Sequence, residues 1–387
     1  MKIVNVCLAG SYNYAWGYQD NLISKYQYKN GNEVTLIASR FINDKNSEDY
    51  LEVPAEIKFD NGVKVVRLEH GFGKKGTKLL RHYKGLYKVL QSEKPDFIFI
   101  HGSQFIDILY VCRYLKKHPE VNCCVDGHAD MTNSAKTKFS FFVHKTLWKF
   151  CALQINKYSK IFYGVLPLRC EFIVKMYGIS KNKVKLLVMG ADDELLDIAQ
   201  RKREDTRRKL NLVKSDFVII TGGKIDAHKT ETILLMKLVN ELPKKNVKLL
   251  VFGAVAKELN YAFNIQLTDR VRYVGWLDQK DIYNYICASD FGFFPGRHSV
   301  IWEQMVAAGI PCVFRKLPKT DHVDIGGNCV FLEDGSEARI KEVLDYIIQE
   351  DNYKKLKNNS LSSCKNDFLY SSIARNSIDD VIKMKLK

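Results

Sequence analysis

Residues 293–314 read FFPGRHSVIWEQMVAAGIPCVF. An apolar run stops at Pro295, a polar turn carries Arg297, His298 and Ser299, and a helical pattern follows with Glu303 in its first turns. Pro311 then opens a second apolar run. Strand, short loop, helix and strand in that order form a βαβ unit, whose two strands lie parallel in one sheet. Glu303 stands apart from other acids: the nearest before it is Asp290 and the nearest after it is Asp321. A carboxylate there either caps the helix, where the dipole favours it, or waits for the hydroxyl of a ligand.

The same alternation runs through the chain. In the first half strands are expected at 2–10, 33–39, 96–102, 121–127, 160–166 and 184–190, with helices at 18–29, 76–92, 104–117 and 138–157. In the second half strands are expected at 216–223, 247–253, 271–277, 290–295, 311–314 and 328–333, separated by helices near 229–242, 281–288, 300–309 and 336–350. A chain of 387 residues is too long for one comfortable core. The pattern therefore predicts an α/β protein of two Rossmann-like, doubly wound domains facing across a cleft. Their expected bounds are 1–192 and 193–367, with the charged stretch 192–216 at the junction and a helix over 368–387 packing back onto the first domain.

Composition narrows the class. With 46% hydrophobic and 27% charged residues the chain reads as globular and soluble. No apolar run reaches the ~18 residues of a membrane-spanning helix, and MKIVNVCLAG reads as a first strand, not a signal peptide. The ten cysteines form no C-x-x-C pair, which suits buried thiols in a cytoplasmic protein better than a zinc site or a disulfide framework. Net charge is +16 and lopsided: residues 1–190 hold 29 basic and 16 acidic side chains, the remainder 31 and 28. A positive field confined to one half implies an anionic partner for that half.

Ligands of open α/β sheets bind beyond the carboxyl ends of strands, so the loops there carry the chemistry. GGKIDAHK (222–229) places Gly223, Lys224 and Lys229 between a strand and a helix start. Paired cations and a helix N-terminus suit a diphosphate; two solvated lysines at a turn are the plainer reading. VDGHAD (125–130) puts His128 between Asp126 and Asp130 at another strand end. GSYNYAWGYQD (10–20) carries Tyr14, Trp16 and Gly17 in a loop rich in aromatic side chains, suited to stacking on a sugar or to ordinary packing.

Taken in order, these stretches resemble the retaining glycosyltransferases of the GT-B fold, and among them the large family four. The resemblance spans most of residues 213–335. The family pattern Gly-Arg-Leu-x-x-x-Lys-Gly is met by Gly223-Lys224-Ile225-Asp226-Ala227-His228-Lys229-Thr230. Its later Pro-Ser loop, followed by Glu-x7-Glu running into Ala-Met-Ala-x-Gly-x-Pro, appears here as Pro295-Gly296 and then Glu303-Gln304-Met305-Val306-Ala307-Ala308-Gly309-Ile310-Pro311. Gly190 and Asp192 in VMGADD match its turn at the domain junction. Two departures stand out. Lys224 replaces the usual Arg, losing the planar fork, and eight residues before Glu303 the family's first Glu is Pro295.

The resemblance implies a metal-independent hexosyl-type glycosyltransferase that needs no cofactor, its nucleotide-sugar donor being a substrate. Lys224, Lys229 and the Gly223 backbone would hold the donor diphosphate, and Glu303 the ribose. Gly253, Trp276 and Leu277 would line the base. Arg297, His298, Ser299 and Val300 would grip the donor sugar in place of the missing Glu. His128, Lys229 and Glu303 would act in catalysis, with Tyr14, Trp16 and Gly17 on the acceptor side. Transfer would go with retention to a saccharide or polyprenyl-diphosphate-linked acceptor, in bacterial capsule, O-antigen or exopolysaccharide synthesis. A silent glycan- or partner-binding subunit and a sugar-nucleotide epimerase of the same fold are the rival readings.

The basic half suggests where such an enzyme works. Over 74–92, Leu79, Leu80, Tyr83, Leu86, Tyr87 and Leu90 recur at helical spacing with Lys78, Arg81, Lys84 and Lys88 between them, and 136–160 mixes lysines with Phe139, Phe141, Phe142, Trp148 and Phe150. This is either a core-packed helix with a solvated face or a patch for anionic lipid. The second predicts a cytoplasmic protein held peripherally on the inner face of the membrane. No nucleic-acid-binding motif is present, so no nucleic acid is expected.

Overall fold

A computed structural model of the chain describes residues 1–44, 50–227 and 230–384. The chain divides into two compact units: Met1–Met189 together with the segment from Tyr370 onward, and Gly190–Leu369.

The first unit is built on β1 (Lys2–Cys7), β2 (Glu33–Ser39), β3 (Ile57–Asp60), β4 (Val63–His70), β5 (Phe97–His101), β6 (Asn122–Gly127), β7 (Ile161–Gly164) and β8 (Val184–Leu186). They lie in the order β8-β7-β6-β5-β1-β2-β4-β3. Only β3 runs antiparallel along this path. Strands such as KIVNVC and FIFIH are near-continuous apolar runs because helices cover both faces of the sheet. One core gathers Val4, Ile98, Val125 and Phe162, and the opposite one Ile3, Phe97, Cys124 and Ile161. The helix Tyr370–Lys383 closes the second core with Tyr370, Ile373, Ile378 and Val381, and the Tyr163 hydroxyl donates to the Ser377 carbonyl at 3.2 Å.

The second unit holds β9 (Phe217–Gly222), β10 (Val247–Phe252), β11 (Val271–Tyr273), β12 (Phe291–Phe294), β13 (Cys312–Arg315) and β14 (Cys329–Leu332). They form an all-parallel sheet in the order β11-β10-β9-β12-β13-β14. Strand order reverses between β1 and β5 in one sheet and between β9 and β12 in the other. Those are the switch points where doubly wound sheets open a crevice for ligands.

Several sequence expectations need correction. The helix expected over 76–92 is two short helices, Gly73–Leu80 and Leu86–Glu93, broken by the short strand Tyr83–Lys84. The backbone forces the break: Arg81 has φ 54° and Gly85 φ 94°, both left-handed. The strand expected over 184–190 ends at Leu186. β3 and β4 lie where none was expected. The charged stretch 192–216 folds as helices Asp193–Arg201 and Arg203–Lys209 within the second unit. Arg203 and Arg207 reach Asp290 there at 2.5 and 3.3 Å, which gives that solitary acid a structural role.

Candidate active site

In the second unit two loops flank the switch point. After β9 the chain turns through Gly222 (φ 154°) and Gly223 (φ 113°), and after β10 through Gly253 (φ 110°). These backbones approach so closely that a Cβ on Gly253 would lie 1.9 Å from the Gly223 carbonyl oxygen. Only glycine fits. Buried Ile225 then pins the loop, its N–H donating to the Ala254 carbonyl at 2.8 Å. Lys224 stands between these anchors, exposed, just before the helix Glu231–Glu241. Lys229 lies outside the described residues. A glycine-fixed backbone and an exposed ammonium on the loop that leads into a helix can bind an anion of phosphate type.

The other loop follows β12 and leads into the helix Ile301–Ala307. Glu303 is not a solvated cap: its exposure is 0%. Its Oε1 lies 2.9 Å from His298 Nε2 and 2.9 Å from His322 Nε2, while its Oε2 is buried without a partner. Burial pushes the carboxyl up, but the two imidazoles outweigh that and hold it down at about 2. The triad is walled by Trp302, which stacks on Phe314 at 4.5 Å and meets the His298 ring edge-on at 5.0 Å. Ser299 Oγ, Trp302 Nε1 and His322 Nδ1 are further buried polar atoms without a partner, whereas Arg297 is exposed and Val300 precedes the helix as its N-cap. A buried acceptor left open costs ~1–3 kcal/mol, so Oε2 is a place for a donated hydroxyl.

His298, Glu303 and His322 are also the one group among the described residues that could hold a metal ion, their ligand atoms lying within 4.8 Å of one another. Two imidazoles and a carboxylate are a donor set that suits zinc. As a hydrogen-bonded triad, however, Oε1 already has both its donors. His322 was not singled out from sequence; it lies in a single 3-10 turn, Asp321–Val323, with no periodic signal around it.

Of the residues expected near the base, Gly253 accepts from the Tyr273 hydroxyl at 2.6 Å and donates to the Gly275 carbonyl at 2.9 Å. Leu277 is half-buried, and Trp276 is 73% exposed, a free aromatic face beyond the end of β11. These positions and the glycine turn belong to strand ends on the β10–β11 side of the same sheet.

In the first unit a cavity of about 560 Å³ opens at the switch point between β1 and β5. Gly10, His101, His128 and Asp20 contribute to its lining. Tyr14, Trp16 and Gly17 do not line it. Tyr14 is instead held under Arg67, whose guanidinium sits 4.5 Å from the ring centre and donates to the hydroxyl at 3.1 Å, and Trp16 meets Tyr18 edge-on at 5.0 Å. His128 follows β6, is partly exposed, and places Nε2 3.4 Å from Asp126 Oδ2. Asp126 is buried, and its first partner is His101, which ends β5: Nδ1 lies 2.9 Å from Oδ2. The two residues are register partners on adjacent strands. Burial opposes charge on Asp126, yet His101 and His128 together hold it well below the usual carboxylate range. Sequence reading passed over His101, although it is the last residue of the run FIFIH and obeys the same strand-end rule that selected His128.

The basic face is not one helix. Arg81 turns inward, donating to the Gln104 carbonyl at 2.6 Å and lying 5.3 Å from the Trp148 ring centre. Lys78, Lys84 and Lys88 remain exposed. The apolar exposure lies further on: Phe139 and Phe142 on the helix Lys138–Val143 are 69% and 62% exposed. Among the described residues no helix is long and apolar enough to cross a membrane.

No family model matches the chain. Over 178 residues it is 24% identical to an uncharacterized 41.2 kDa protein in the cps region of Klebsiella pneumoniae, covering 43% of this chain. The chain spans about half the length of that curated relative, 46%. Solved structures match over nearly the whole length. A glycosyltransferase from Rickettsia africae covers 99% of both chains at TM-score 0.65 and 13% identity. Anabaena HepE in complex with UDP and glucose covers 99% of both at TM-score 0.65 and 15% identity. UDP-GlcNAc 2-epimerase from Neisseria meningitidis, bound to UDP-GlcNAc, covers 99% of this chain and 100% of its own at TM-score 0.61 and 12% identity. At these identities the likeness is one of fold, and the fold is GT-B: two doubly wound α/β units in one chain.

Proposed function

We propose that the protein transfers a sugar from a nucleotide-sugar donor to a saccharide or lipid-linked saccharide acceptor in bacterial surface-glycan assembly. The observation that carries this reading is the pair of loops at the second unit's switch point. One presents Lys224 on a glycine-fixed backbone; the other presents a buried Glu303 with one oxygen open. A cation on a loop leading into a helix suits a diphosphate, and an open carboxylate oxygen suits a ribose hydroxyl. UDP and glucose bound to HepE and the cps-region relative point the same way.

In this reading Lys224, Lys229 and the Gly223 backbone stabilise the charge that develops on the departing diphosphate, so the transfer draws on no metal or cofactor. The base lies toward Gly253, Trp276 and Leu277, and the donor sugar toward Arg297, Ser299 and Val300, with His298 reserved for Glu303. The family-four likeness carries retention with it. Exposed Phe139 and Phe142 among lysines suit a station on the inner face of an anionic membrane.

Thermal shift across nucleoside diphosphates, followed by turnover of the matching nucleotide sugar with and without saccharide acceptors, tests the proposal. Acceptor-dependent release of diphosphonucleotide is the expected result. Donor conversion without acceptor would support an epimerase instead, and binding without turnover a silent subunit.

A further inference from the structure

We infer that Glu303 takes only one hydroxyl of the donor's furanose and that His298 and His322 set this limit, so that 2′-deoxynucleotide sugars serve as donors alongside ribonucleotide sugars. The inference rests on the nucleotide-sugar reading above and names the donor class which that site admits.

A carboxylate accepts a vicinal diol as a pair, one hydroxyl on each oxygen. Glu303 does not offer that pair. Its Oε1 lies 2.9 Å from His298 Nε2 and 2.9 Å from His322 Nε2. Because a carboxylate only accepts, each imidazole presents an N–H, and the two together fill both lone-pair directions of Oε1. Oε2 is the oxygen left without a partner. Its own two directions diverge in the carboxylate plane, whereas hydroxyls on adjacent ring carbons lie side by side. Only one of them can be seated well there.

Turning the side chain does not restore the pair. Glu303 is fully buried on the helix Ile301–Ala307, and its two donors come from separate segments, the loop before that helix and the turn Asp321–Val323. The His298 ring is itself edge-on to Trp302 at 5.0 Å, and Trp302 stacks on Phe314 at 4.5 Å. Rotating the carboxylate would break both bonds, in a site where an unmade bond is costly.

The open polar atoms around Glu303 do not replace the lost acceptor. Trp302 Nε1 only donates. His322 Nδ1 lies across its ring from the nitrogen that meets Glu303. Ser299 Oγ can accept, but it is uncharged, and a bond to a neutral oxygen is about half as strong as one to a carboxylate. A furanose that lacks its 2′-hydroxyl still presents the 3′-hydroxyl to Oε2 and keeps the stronger bond. His298 and His322 act through Glu303 and are positioning residues.

The full-length chain is titrated calorimetrically with the uracil, adenine, guanine and thymine nucleoside diphosphates, each in its ribose, 2′-deoxyribose and 2′,3′-dideoxyribose form. For any base that binds, the 2′-deoxy form is expected within about threefold of the ribose form. The dideoxy form should bind about tenfold weaker or more, the scale of one charge-assisted hydrogen bond. Glu303→Gln should weaken the ribose and 2′-deoxy forms by the same factor. His298→Ala frees one direction on Oε1 and should widen the gap between those two forms to about tenfold, a ratio that a merely structural histidine would leave unchanged. His322→Ala supplies the same reading if His298→Ala does not fold.

A 2′-deoxy form bound by wild type more than about threefold weaker than the ribose form would overturn the inference and leave the nucleotide-sugar site standing. A dideoxy form bound as well as the ribose form would do the same, as would a folded histidine variant whose gap stays at the wild-type value. A wild-type chain that binds none of these diphosphates would overturn both.

Discussion

His322 Nε2 lies 2.9 Å from Glu303 Oε1, so a histidine 19 residues further along the chain completes a carboxylate site begun by the helix Ile301–Ala307. His298 approaches the same oxygen from the other side. A carboxylate held by two fixed donors cannot swing, and its second oxygen therefore keeps a defined direction for a ligand. The family resemblance places a second glutamate near this point. Here the loop that lacks it supplies His298 as a clamp on the surviving one.

The clamp makes stability depend on acid. Glu303 is lowered from an ordinary 4.5 to about 2 in the folded chain. A depressed carboxyl contributes stability that is fully present above its unfolded value and lost as pH falls through the folded one. Wild-type protein should therefore lose stability between pH 4.5 and 2. In Glu303→Gln that part of the slope should be missing. Urea melts across this range measure it.

Lys224 is exposed and should matter to ligand and not to fold. Lys224→Ala is expected to weaken nucleoside diphosphate binding about tenfold, the scale of one lost charge-assisted hydrogen bond. Its thermal midpoint without ligand should be unchanged. Calorimetric titration beside a melt separates the two effects.

Gly253→Ala should do the reverse, acting on the fold first. The added carbon would lie 1.9 Å from the Gly223 carbonyl oxygen, at a φ of 110° that side chains rarely adopt. A loss of about 2–4 kcal/mol is expected for such a backbone clash. Nucleotide binding should weaken as well, because the same approach holds the Lys224 loop. A circular dichroism melt reads the first effect and titration the second.

Much of this architecture is legible in the residues. Parallel strands buried on both faces are written as apolar runs, which is why β1, β5, β9 and β12 fall where VCLAG, FIFIHG, VIITGG and FGFF suggest. The glycine turns at 222–223 and 253 are legible for the same reason that they are needed. What escaped depends on contacts. A left-handed Arg81 breaks a pattern that spacing alone reads as one helix, and then buries its guanidinium against Trp148. The partners of Glu303 and Asp126 are set by which loop lands beside which, so His322 and His101 carry no local sign of their pairing.

The triad at Glu303 also permits a test of the metal-free reading. Transfer should survive exhaustive dialysis against a chelator, and protein purified without added metal should carry no stoichiometric zinc. Zinc bound one to one and lost in His322→Ala would assign the triad to a metal instead.

Membrane attachment should depend on the helix Lys138–Val143. Replacing Phe139 and Phe142 by Ser is expected to release the protein from vesicles containing anionic lipid, and raising salt should weaken wild-type binding. Vesicle flotation reads both. Equal binding to neutral and anionic vesicles would contradict a station on the inner membrane face.

The central claim is a nucleotide-sugar site in the second unit, and the most direct test is calorimetric titration of the folded chain with UDP, ADP, GDP and dTDP. Saturable one-to-one binding of at least one is expected, weakened about tenfold or more by Lys224→Ala and by Glu303→Gln. A folded chain that binds none of them, or binds them unchanged in both variants, would contradict the account.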